Sequence, residues 1–135
     1  MDEKQLRRQR RAILVFLYVL FALFGAYIGA ISNLPPAKFH PDFAVRVNLL
    51  LSIPLCLGFM WFCTVDARLA GKPLIQLAKL GIFFGWPIGV PIYLVWAHGL
   101  KGLGLLLLHG FLLLSITVCA QLSVAYLCYG TIWFP

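Results

Sequence analysis

Acidic residues are scarce in this chain of 135 residues: Asp and Glu together number four, and charged residues make up 11%. An average soluble protein carries about 25%. There are three histidines, no charged tail, no low-complexity linker and no internal repeat. Each shortage excludes something. Without Asp or Glu inside its apolar runs, the chain has no carboxylate with which to drive a proton-coupled carrier. The metalloprotease pattern H-E-x-x-H, the nucleophile elbow G-x-S-x-G and the phosphate-binding P-loop are all missing. The polar segments are too short to hold a soluble catalytic domain. The sequence therefore reads as that of a non-enzyme with no metal and no cofactor.

Four cysteines are present, Cys56, Cys63, Cys119 and Cys128, and none forms a C-x-x-C pair. All lie in apolar runs, where free cysteine behaves as a small hydrophobe. A disulfide framework would need them in the polar loops.

What is abundant is apolar: 62% of residues are hydrophobic, against about 45–50% in soluble proteins. Four apolar runs, at about 12–32, 43–65, 79–97 and 103–129, predict an all-α integral membrane protein. The expected architecture is a single antiparallel bundle of four transmembrane helices over residues 1–135. The first run is long enough at ~1.5 Å per residue to cross a ~30 Å bilayer core, and too long for a signal-peptide core. A basic head, residues 1–11, precedes it. Asn33 to Asp42 contains three prolines, which end any helix, and Asp42 is placed to cap the second span. Gly71 reads as a C-terminal glycine and Pro73 as the first turn of the third span. His98-Gly-Leu-Lys-Gly102 reads as the next turn.

The net charge of +7 is concentrated between the apolar runs, which favours a membrane over nucleic acid. Four crossings would put both termini on one side. With that side inside, Lys and Arg divide eight inside to three outside, an N-in, C-in arrangement by the positive-inside rule. Arg7, Arg8, Arg10, Arg11, Arg68 and Lys72, with Asp66, are then the residues that fix orientation and meet lipid head groups. Asp66 is expected to pair with Lys72, Lys79 or the basic head. Trp61 and Trp133 would mark the inner membrane surface and Trp96 the outer.

Two features are candidates for function. Ala22, Gly25, Ala26 and Gly29 form a strip of small residues where a helix of this chain or of another subunit can approach closely. In the third run, Trp86, Pro87, Pro91 and Tyr93 lie with Gly85 and Gly89 at mid-depth. With Pro54 in the second run, these prolines predict kinks in helices 2 and 3, whose freed carbonyls could line a ligand site or pathway. His109 is the one ionisable residue clearly inside a run, and its expected partner is a facing carbonyl or a ligand. Ser115, Thr117, Gln121 and Ser123 scatter around the fourth helix, which argues against a pore lined by that helix alone.

Asp66-Ala-Arg, then Trp86-Pro-Ile-Gly-Val-Pro-Ile-Tyr-Leu94, then Gly99-Leu-Lys-Gly102 resembles a pattern of small bacterial membrane proteins over about a quarter of the chain. His98 stands where that pattern has Arg. The resemblance implies four spans and bacterial origin, and no activity; the expected location is the bacterial cytoplasmic (inner) membrane. Three functions follow as expectations. The first is an accessory, assembly or scaffold subunit held by protein–protein interaction in a larger membrane complex. The second is a small self-associating transporter or channel using His109 and the Pro/Trp segment. The third is a membrane-perturbing effector.

Overall fold

A computed structural model describes residues 2–31 and 41–130, which form five helices and no strand: α1 (Glu3–Ile31), α2 (Pro41–Leu69), α3 (Gln76–Phe84), α4 (Trp86–His98) and α5 (Leu100–Tyr129). The proline-rich connection at 32–40, with Lys38, and Trp133 lie outside the described residues. Helices α1, α2 and α5 are each long and apolar enough to cross a membrane. The chain is a helical membrane protein, and among the described residues three helices, not four, are such spans.

The third apolar run is the correction. It is split at Gly85, which belongs to neither α3 nor α4. At ~1.5 Å per residue α3 is about 14 Å long and α4 about 20 Å, so neither crosses a ~30 Å core. They fold back on each other as a re-entrant hairpin. Lys72, just before α3, reaches the Trp96 and Ala97 carbonyls at the end of α4, each at 3.3 Å. Both ends of the hairpin therefore lie at the same end of the bundle. Gly89 makes the fold-back possible, since a Cβ there would sit 3.1 Å from the Ile82 Cα on α3.

One proline of this run acts differently from a mid-helix kink. Pro87 falls in the first turn of α4, where its missing N–H has no helical acceptor to lose. Pro91 is inside α4, and Pro54 inside an α2 that continues from Pro41 to Leu69. Gly71 closes α2 with φ +68°, and Lys72 N–H donates to the Ala67 carbonyl at 2.9 Å. Pro73 lies in the extended connector before α3 rather than in its first turn.

Helix α1 is central. It runs antiparallel to α2, with Arg10 beside Asp66 and Tyr27 beside Ala44. It runs parallel to α5, with Tyr18 beside His109 and Ala30 beside Tyr129. The start of α1 and the end of α5 thus lie at opposite ends of the bundle, which overturns the same-side arrangement. The His98–Gly102 turn moves with the hairpin to the end that holds residues 66–72, and Trp96 moves with it. Gly25 and Gly29 are buried against α5, where a Cβ would overlap the carbonyls of Thr117 and Gln121. No α2 Cα lies within 8 Å of an α5 Cα, and the hairpin bridges the two helices from the basic end up to Trp86 on Phe59.

Candidate functional site: a buried carboxylate beneath an apolar cavity

Asp66 lies in the last turn of α2 and is 2% exposed. A lone carboxylate there would be very costly, so its partners decide whether the site is stable. There are three, one from α1 and two from α4. Arg10 Nη1 on α1 donates to Oδ1 at 2.8 Å. The Tyr93 hydroxyl on α4 donates to Oδ2 at 2.9 Å. His98 Nε2, at the end of α4, is 2.6 Å from the same Oδ2. Both oxygens are engaged, and α1, α2 and α4 are tied at one point.

Of the partners expected for Asp66, the basic head supplies one and Lys72 none. Lys72 instead serves the α4 carbonyls and lies 5.4 Å from the centre of the Trp96 ring. Arg68, two residues from Asp66 and on the opposite side of the helix, is exposed. Arg7 pairs with Glu3 on the exposed side of α1 at 2.6 Å. Arg8 and Arg11 are exposed.

Next to this cluster lies a cavity of about 210 Å³ between α1, α2, α4 and α5. Trp86, Pro87, Pro91 and His109, singled out separately in the sequence, all line it. Tyr93 does not, because its hydroxyl is turned to Asp66. Trp86 stacks on Phe59 with ring centroids 4.7 Å apart and planes 8° from parallel, and Phe21 meets both rings edge-on. His109 Nδ1 shares a hydrogen bond with the Tyr18 hydroxyl across the α1–α5 contact. Its partner is therefore a side chain rather than a backbone carbonyl. The rest of the wall is apolar, and Arg10 and Asp66 are the charged groups that reach it.

Ala22 and Ala26 are half-buried, so the strip of small residues is used within the chain through its two glycines. Polar groups of α5 are met locally: Thr117 and Ser123 donate to carbonyls four residues earlier. No buried side-chain N or O among the described residues lacks a hydrogen-bond partner.

Sequence reasoning missed Tyr18 and gave His98 no role. Tyr18 could have been found, since a hydroxyl at the seventh residue of the first run needs a partner once buried. His98 could not, because four crossings put it on the far side from Asp66. No protein family matches the chain, and no curated protein or solved structure is similar to it.

Proposed function

We propose that this chain is a non-enzymatic accessory or scaffold subunit of a larger membrane complex, seated in a bacterial cytoplasmic membrane with its Asp66 end inside. The orientation is supported by charge. Nine of the described Lys and Arg residues lie at that end, Lys101 now among them, and Arg46 alone at the other. The positive-inside rule puts the richer end in the cytoplasm.

One observation carries the subunit reading. Because the third segment turns back at Gly85, α2 and α5 are bridged through only part of the membrane depth. We take the depth beyond the hairpin tip, where no described helix bridges α2 and α5, as an apolar recess beside α1. Phe84 at the tip is 81% exposed and Ile88 70%. A transmembrane helix of another subunit would fill that recess against an apolar tip. The buried polar groups fit the same reading, since Asp66 spends both oxygens on joining helices rather than on a reactive site.

The test is native mass spectrometry of the protein extracted gently from its own membrane. The expected result is a foreign subunit in fixed ratio, lost when Phe84 and Ile88 are both changed to Ala. These side chains are exposed, so the double variant should keep its fold. A protein recovered only alone or with copies of itself, or a complex indifferent to the double variant, rejects the proposal.

A second reading has its own support. A broken helix beside a cavity lined by Trp86, Pro91 and His109 is the arrangement a small homo-oligomeric transporter would use. Under that reading His109→Ala or Pro91→Ala abolishes flux while the oligomer survives.

A further inference from the structure

The central cavity has the form of a binding site whether or not a partner subunit exists. Its volume of about 210 Å³ compares with ~30 Å³ for one water in the liquid. Its walls are leucines, valine and aromatic rings, so water would find few hydrogen bonds there. Apolar walls of this extent gain dispersion contacts from an apolar group that fits between them. Leu105 and Gly110, which line it, are exposed on α5, so the cavity opens laterally toward lipid.

Its polar end discriminates by charge. The Asp66 side chain is 3% exposed and both its oxygens are taken, so it offers nothing to a ligand. The Arg10 side chain is 40% exposed, and the Asp66 bond uses one of the five N–H groups of a guanidinium. An anion there would meet an incompletely used fork donor, with further Arg and Lys residues around it. A cation would be repelled by the same groups.

We infer that the cavity binds one hydrocarbon chain of an anionic amphiphile drawn from the bilayer, with the carboxylate or phosphate of that amphiphile on Arg10. The chain lies along Trp86 and Leu106, and the head group sits at the basic end of the bundle. The ligand then completes the packing between α4 and α5.

Bromine quenches tryptophan at short range, and Trp86 lines the cavity. The experiment uses the full chain with Trp61, Trp96 and Trp133 changed to Phe, in phosphatidylcholine nanodiscs. Dibromostearate, its methyl ester and a phosphatidic acid carrying the same brominated chain are titrated separately. Saturable quenching by dibromostearate alone identifies a fatty acid; saturable quenching by the phosphatidic acid identifies a phospholipid. In either case the neutral ester should bind at least tenfold more weakly. Arg10→Gln should erase the preference for the acid, and Arg10→Lys should retain it.

Because Arg10 also holds Asp66, a second variant leaves that bond untouched. A Cβ at Gly110 meets no atom within 4 Å, so Gly110→Phe should be tolerated and should block the cavity. Saturable quenching should disappear in this variant while its helix content stays unchanged. The inference is overturned by quenching that rises linearly with probe and equally for acid and ester. It is also overturned by saturable quenching that survives Gly110→Phe.

Discussion

Replacing Asp66 with Ala would leave three donors without their acceptor, and their surroundings set the cost. Arg10 is partly exposed and can turn to water, so its loss adds little. Tyr93 is 3% exposed and cannot, and an orphaned buried hydroxyl costs ~1–3 kcal/mol. His98 has a side chain 25% exposed and loses a hydrogen bond to a charged group, worth ~1.5–3 kcal/mol before partial rescue by water. The expected total is about 3 kcal/mol, concentrated where α4 is tied to α1 and α2.

Cys63, one turn before Asp66 and 0% exposed, reports that opening. With Cys56, Cys119 and Cys128 changed to Ala, maleimide labelling of Cys63 should accelerate roughly 100-fold in Asp66→Ala, since each ~1.4 kcal/mol is tenfold in the open population. Tyr93→Phe alone should cost about 1 kcal/mol. In the Asp66→Ala background it should cost nothing, because it removes the orphaned hydroxyl. A folded Asp66→Ala protein that labels at the wild-type rate, or a cycle additive to within ~0.3 kcal/mol, would refute the account.

Two further predictions follow from the fold. Single cysteines at Lys72 and Lys101 should label from the same face of sealed vesicles, and one at Arg46 from the opposite face; labelling of Lys101→Cys together with Arg46→Cys would restore four crossings. Gly25→Leu or Gly29→Leu should prevent the α1–α5 contact and stop the chain folding, because each Cβ would overlap α5 backbone. Gly104→Leu should be nearly silent, its Cβ meeting nothing within 4 Å. Equal yields of folded protein from Gly25→Leu and Gly104→Leu would count against the close approach.

Much of the candidate site was legible residue by residue. Trp86, Pro87, Pro91 and His109 stand out because prolines, an indole and an imidazole in an apolar run each need a local explanation. That they share one cavity was not legible, since three belong to α4 and one to α5. Asp66 was legible as a charge beside a basic head. Its burial and its bonds to Tyr93 and His98 were not, because they depend on which end of the bundle α4 finishes at. A count of apolar runs takes a run of about 19 residues as one crossing. It cannot separate one helix of that length from two short ones that turn back.

Composition and run length by themselves determined that this chain is helical and lives in a membrane, because only a bilayer accepts so many apolar residues with so few charges. They also marked the glycine and proline positions at which backbone rules change. The tertiary structure alone decided that Gly85 is a reversal, that α1 and α5 run parallel, and that one carboxylate gathers donors from both α1 and α4. Hydropathy reports whether a segment prefers lipid to water. Whether such a segment crosses or returns depends on close backbone approaches, such as Gly89 on Ile82, and on which polar groups must meet inside.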